Sequence, residues 1–233
     1  MGCAGECAAA HHLARVSHSP ASPFRRALLV AGALAASLSA PLATPAHAQA
    51  EAPDQSRADY LAWLARSPQN RENVRAFSTF LEAREVEGVL PTWQLVRTSS
   101  SWQQCSAEPF EVAPVQQWSN IVDTLAFVRE EVVPAVGNLE VLSAYRNERL
   151  NSCSGGRPGS AHRMFFAMDL VPRGDISRGK LIETLCRVHR REGAEYHAGL
   201  GFYSGIRFHV DSSGYRKWGA DGRGSSSPCN RVN

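Results

Sequence analysis

After residue 48 the sequence has no apolar run approaching 18 residues, no C-x-x-C pair, no internal repeat and only four histidines. The first absence excludes a membrane-spanning helix in that part of the chain. The second removes the usual cysteine-based zinc and redox motifs, and the third removes solenoids. Charge of either sign is also scarce in surplus. The net charge of +3 falls to +1 once residues 1 to 48, with three arginines and one glutamate, are set aside, so no basic footprint points to nucleic acid. The whole chain, 233 residues with 43% apolar and 20% charged side chains, has the size and mixture of one globular domain.

The N-terminus has the pattern of an export signal. Arg25 and Arg26 precede an apolar run from Ala27 to Ala40, and Ala46-His47-Ala48 has the small-x-small form of a cleavage site, so the cut is expected after Ala48. The twin arginine hints at a folded-export route. The expected product is periplasmic or secreted, with no stable membrane insertion after signal removal. Cleavage would leave Cys105, Cys153, Cys186 and Cys229, an even number bound for an oxidising compartment, which predicts two disulfides rather than four buried thiols. Three pairings are open, and Cys105 with Cys153 and Cys186 with Cys229 is the expected one.

Three segments follow from the patterning: a signal over 1–48, an N-terminal helical subdomain and connection over 49–109, and a main domain over 110–233. In the first helix, Tyr60, Leu61 and Leu64 repeat behind a Ser56 cap, and Ser67-Pro68 stops it. Asn70 is placed to cap a second helix with Val74, Phe77, Phe80 and Leu81 as its stripe and Gly88 at its end. These helices read as packing support or as a cell-wall docking unit. Pro114 opens what should be the longest helix, buried through Trp118, Ile121, Val122, Leu125 and Val132. Leu139 to Tyr145 reads as a strand, Asn151 to Ser160 as a Gly-rich loop, and Phe165 to Val171 as a second strand. A helix capped by Ser177 carries Leu181, Leu185 and Val188 inward, and Leu200 to Val210 forms a hairpin turning at Ser204-Gly205. The fold class is therefore α+β, a small, mainly antiparallel sheet flanked by helices.

Chemistry concentrates at two histidines. His162 leads into the strand carrying Asp169, and His209 lies in the last hairpin strand beside Asp211. If those strands are neighbours, two imidazoles and a carboxylate converge as the ligands of a catalytic zinc site with one position open. A structural histidine beside a strand carboxylate fits the same spacing. Ser160-Ala161-His162 followed by Ala167-Met168-Asp169 resembles the S-x-H-x-x-G-x-A-x-D signature of the zinc D-alanyl-D-alanine carboxypeptidase and Hedgehog-like peptidase family. Phe208-His209-Val210-Asp211 resembles that family's second signature, and Ser143-Ala144-Tyr145-Arg146 its S-G-Y-R strand end. Asn151 with Gly155-Gly156 falls where its loop has Asn and paired glycines. The resemblance covers roughly Phe110 to Trp218.

That resemblance implies Zn2+ held by His162, Asp169 and His209, peptidoglycan stem peptides as substrate, and a Hedgehog/DD-peptidase-like fold. It implies that Arg146 grips the substrate's terminal carboxylate, with a surface salt bridge as the alternative, and that Ser160 orients groups near the site or simply makes a turn. Two departures matter. Phe165 stands where the signature has Gly, and Ile206 and Arg207 occupy the places where relatives carry a Glu or His base. Asp211 is then a candidate base or a partner of His209, and Arg207 an oxyanion stabiliser or an ion pair. Glu195 and His197 are placed to approach from a loop, and His189 is expected at the surface. The expected activity is a zinc metallopeptidase, a carboxypeptidase before an endopeptidase; the alternative is a non-catalytic, zinc-stabilised module that binds cell wall or protein.

Overall fold

A computed structural model describes residues 55–232, so the expected export signal of residues 1–48 lies outside the described residues. Helix α1 (Arg57–Ala65) opens on a capping box, in which Ser56 Oγ accepts from the Asp59 N–H and the Asp59 carboxylate accepts from the Ser56 N–H at 2.9 Å. Helix α2 (Pro68–Ala83) starts earlier than expected. Its cap is Ser67 with Pro68 at the first position, where a missing N–H costs nothing, and Asn70 instead donates to the Trp63 carbonyl and ties α2 to α1. The helix also stops before Gly88. Glu85 takes φ 58°, and the Val86 N–H reaches back to the Leu81 carbonyl, closing the last turn without a glycine.

After the short α3 (Thr92–Leu95) comes a helical stretch that does not run as one regular α-helix. It passes from a 3-10 segment (Val115–Ile121) through α4 (Val122–Phe127) and a π turn (Val128–Val132) into α5 (Val133–Val136). Pro134 gives a reason: its ring crowds the carbonyl four residues back and it has no N–H to offer, so the preceding turn widens. Among the described residues the longest regular helix is α2, with 16 residues. Trp118, Ile121, Leu125 and Val132 are buried as expected, with Val122 only partly so.

The sheet contains β1 (Leu139–Ser143), β2 (Ala167–Pro172), β3 (Gly199–Phe202), β4 (Phe208–Asp211) and β5 (Arg216–Trp218) in the order β1-β2-β4-β3-β5. All pairings are antiparallel except β3 with β5, a strand the alternation did not announce. Between β1 and β2 the chain forms α6 (Glu148–Cys153), capped by the Asn147 side chain, so the expected loop from Asn151 begins three residues later. Helix α7 (Arg178–Arg191) follows its Ser177 cap and buries Leu181, Leu185 and Val188. The expected disulfide pairing is present: Cys105 with Cys153 and Cys186 with Cys229, across 48 and 43 residues. Cross-links over loops of that length remove about 4 kcal/mol of unfolded-chain entropy each.

Helices α1 and α2 share the sheet's core, burying Tyr60, Trp63, Phe77 and Leu81 in the same cluster as Leu170, Phe208 and Val210. Phe77 stands 5.7 Å, ring to ring, from Phe165. Position 165 is not the start of a strand. Phe165 caps the 3-10 turn Ala161–Met164 in the left-handed conformation, φ 60° and ψ 30°, which explains why a glycine suits this place in the signature it resembles. Here an L residue accepts about 1–2 kcal/mol of backbone cost and returns a fully buried aromatic ring packed on Phe77 and Tyr145. Truncating such a ring costs about 3–5 kcal/mol. Phe165→Gly should therefore lower unfolding free energy by about 2–3 kcal/mol in urea titrations; an unchanged midpoint would show that the ring contributes nothing.

Candidate metal centre

Strand register brings the three expected ligands together. Asp169 on β2 lies directly opposite His209 on β4, and directly opposed residues of an antiparallel pair project to the same face. His162 arrives from the 3-10 turn and is clipped to the end of β1 twice: its ring bonds the Ala144 carbonyl at 2.6 Å, and its own carbonyl accepts the Arg146 N–H. All three side chains are buried. His162 Nε2, Asp169 Oδ1 and His209 Nδ1 form a triangle with sides of 3.3, 3.2 and 3.1 Å, and this group can hold a metal ion.

The fit of a metal rests on where the ring protons go. A backbone carbonyl only accepts, so His162 Nδ1 carries the hydrogen and Nε2 presents a lone pair to the triangle. His209 Nε2 likewise donates to Asp211 Oδ2 at 2.8 Å, leaving the Nδ1 lone pair facing inward. Two lone pairs and a carboxylate oxygen thus point at one another inside the protein, an arrangement that calls for a cation. The triangle's sides match the separation of about 3.3 Å between donors around a tetrahedral ion with bonds of about 2.0–2.1 Å.

The electrostatics agree. Burial, with help from Arg146, pushes the His162 pKa down to about 4. Burial also opposes charge on His209, but its bonds to Asp169 and Asp211 outweigh it and leave that pKa raised. Asp169 is held well below the carboxylate range because His162, His209 and Arg207 overcome its burial.

The other expected site residues fall into distinct places. Asp211 lies behind His209, away from the triangle, where it accepts from His209, Ser213 and Arg216. That is the geometry of a partner fixing the tautomer and orientation of His209. Arg207 Nη2 donates to Asp169 Oδ2 at 2.6 Å, and its guanidinium sits 4.9 Å above the Tyr203 ring; of its two readings the ion pair is the one formed. Arg146 and Ser160 line a cleft of about 700 Å³ that opens over His162 and His209. Arg146 is buried, and its Nε has no hydrogen-bond partner. His197 and Glu195 are exposed and are not among the cleft residues. His189 is not at the surface: it bonds the Ala198 carbonyl and stacks on Tyr215 at 4.6 Å.

Several parts of the site were not among the residues expected from the sequence. Tyr203 donates to Asp169 Oδ1 at 2.9 Å, and burial followed by the nearby carboxylate holds its pKa well above the usual phenol range. Trp218, on the unanticipated β5, stands 5.2 Å from the His209 ring and 5.3 Å from Tyr203. Gly199 and Gly201 face Asp211 and His209 across β3 and β4. A Cβ at Gly199 would fall 2.2 Å from Asp211 Oδ2, and one at Gly201 would fall 2.0 Å from Trp218. The Gly-x-Gly spacing was thus a readable trace of two side chains laid over a strand. Asn151 acts similarly on the cleft wall: it donates to the Arg157 carbonyl and fills the space where a Cβ of Gly156 would be.

No protein-family model, no curated protein and no solved structure matches the chain.

Two expectations follow from this geometry. With its raised pKa, His209 keeps a proton in the metal-free protein that binding must displace, so metal affinity should rise with pH until His209 is neutral and fall about tenfold per unit below that point. Chelator competition between pH 5.5 and 8 reads this slope, and a pH-independent affinity would contradict it. Gly199→Ala should displace the Asp211 carboxylate and weaken metal binding about 10- to 100-fold with the circular dichroism spectrum retained; unaltered affinity would mean that Asp211 does not govern His209.

Proposed function

We propose that the chain is a zinc-dependent peptidase acting on peptidoglycan stem peptides, a D-alanyl-D-alanine carboxypeptidase in the first instance. The observation that carries this reading is the buried His162–Asp169–His209 triangle with both imidazole lone pairs turned inward, at the base of a cleft with an uncommitted arginine. Two nitrogens and one oxygen with one side open are the ligand set of catalytic zinc. The resemblance of the four short motifs to the D-alanyl-D-alanine carboxypeptidase and Hedgehog-like family points the same way. Two disulfides suit a protein exported to the periplasm or beyond. Among the described residues, no helix is long and apolar enough to cross a membrane.

Zinc held there would lower the pKa of a water toward about 7 and polarise an amide carbonyl. The chain's own residues supply the rest. Asp211 and the Ala144 carbonyl fix both imidazoles, and Arg207 pins the far oxygen of Asp169. Arg146 brings a guanidinium that is nine-tenths buried and lacks a partner at Nε. Leaving such a group without an anion is costly, and a terminal carboxylate answers it with two parallel hydrogen bonds. Arg157 and Lys217 also line the cleft against a single carboxylate, Asp221, with Arg216 paired to Asp211, so an anionic peptide is favoured over a cationic one. In the reaction the water oxygen bonds to the carbonyl carbon, the C–N bond breaks, and the proton released by water leaves on the amine.

One observation favours the rival reading of a zinc-stabilised binding module. Asp221 is a poor base, because hydrogen bonds from Ser226 and from the Arg223 N–H hold its pKa below the usual range. Muropeptide digestion followed by mass spectrometry, with and without chelator, separates the two. The peptidase reading expects loss of a terminal residue, abolished by chelation and by His162→Ala together with the bound zinc. Arg146→Ala should keep the zinc while lowering kcat/KM about 100-fold. Bound zinc with no turnover on any stem would establish the binding module instead.

A further inference from the structure

The peptidase reading leaves one group at the cluster without an assigned task, and it is the one that reaches the metal triangle from the cleft. We infer that Tyr203 is a catalytic residue of that reaction, its hydroxyl donating a hydrogen bond to the scissile carbonyl oxygen as negative charge develops there. This inference rests on the proposed peptidase activity.

Four observations converge on it. Tyr203 lines the cleft together with His162 and His209, so it stands on the side where a substrate must enter. Its hydroxyl is 2.9 Å from Asp169 Oδ1, one of the three donor atoms of the triangle. A carbonyl seated over the open side of the triangle is therefore close to a ready O–H. Asp169 does not depend on that hydrogen bond alone for its placement, because Arg207 holds its other oxygen at 2.6 Å. Finally, the ring is clamped, with the Arg207 guanidinium 4.9 Å from one face and Trp218 edge-on at 5.3 Å. A hydroxyl fixed in advance loses little freedom when it engages a transition state, which is what makes such donors effective.

The step balances without further reagents. As the water oxygen bonds to the carbonyl carbon, the carbonyl π pair moves onto its oxygen, and Tyr203 shares its hydrogen with that oxygen without releasing it. When the pair returns the C–N bond breaks, and the amine departs with the proton that water gave up. Arg207 was the other candidate for this duty, but its charge is spent on Asp169.

The test compares the zinc-loaded full chain with Tyr203→Phe, which keeps the ring and removes only the hydroxyl. With a stem pentapeptide as substrate, kcat should fall about 100- to 1000-fold with KM changed less than about threefold. Zinc affinity measured by chelator competition should stay within about threefold. A phosphinate analogue of D-alanyl-D-alanine, whose charged oxygens imitate the transition state, should bind more weakly to the variant by a factor comparable to the loss in kcat. Undiminished kcat, or zinc affinity that falls tenfold or more in parallel with activity, would overturn the inference, the latter because it marks a residue that merely positions Asp169. If the wild-type chain turns over no stem peptide, the peptidase reading fails separately. The phosphinate comparison then still decides Tyr203, since equal binding by both proteins removes it as a donor.

Discussion

Two imidazoles that have each spent their hydrogen on the outside and face each other at 3.2 Å on the inside set the terms for this molecule. Neutral rings in that orientation repel, and burial denies them water as a remedy. A proton on His209 or a metal ion between them resolves the conflict, and the Asp169 carboxylate adds the negative charge that makes either cation welcome. A satisfied structural histidine would direct one of its ring hydrogens toward the neighbour. Here the Ala144 carbonyl and the Asp211 carboxylate each occupy one ring hydrogen, so a proton added to His209 or a metal ion is what fills the gap between the rings.

The fold serves to keep those hydrogens outside. The β2–β4 register puts Asp169 beside His209, and the β3–β4 register sets two glycines against His209 and Asp211 so that Asp211 and Trp218 have room behind the imidazole. His162 depends on a different device, a 3-10 turn whose closing residue, Phe165, sits in left-handed backbone. The ring of Phe165 rests on Phe77 of α2. The N-terminal helices thereby support the turn that delivers a ligand, although they contribute no side chain to the triangle. A buried ion pair between Arg97 and Glu140 at 2.7 Å anchors the start of β1, whose far end supplies the Ala144 carbonyl and Arg146.

How much of this was legible depended on whether the information is local. Caps at Ser56 and Ser177 and the helical stripes could be read because each leaves a pattern over a few residues, whereas the His162, Asp169 and His209 trio was legible only through the resemblance of its flanking residues to two signatures. Ser67 and Asn70 are both good caps, and only the Pro68 that follows Ser67 argues for the earlier start. Glu85 closing α2 in place of Gly88 left no trace, because a non-glycine in left-handed backbone is tolerated only when its surroundings hold it there. The same applies to Phe165, read as strand because it is aromatic and adjoins an apolar run. His189 looked like surface amid arginines; its burial depends on Tyr215 and Ala198, which are distant in the pattern of α7. Tyr203 and Trp218 could not be assigned from local pattern, for their relation to the triangle exists only through the order of strands.

Ile206 and Arg207 stand where the signature that the chain resembles has a Glu or His, and Arg207 has a defined partner in the structure. Ile206 packs against the hydrophobic core, and Arg207 neutralises Asp169 through its outer oxygen. An acidic ligand paired in this way donates less charge to a bound cation, which leaves the cation a stronger electrophile. Under the proposed peptidase reading the cleft would rely on polarisation and on donors around the carbonyl more than on a strong proton acceptor, since Asp221 is its only lining carboxylate and is weakly basic. Under that reading Arg207 belongs to how the site would divide the work between cation and protein: it sets the charge on the ligand rather than moving a proton.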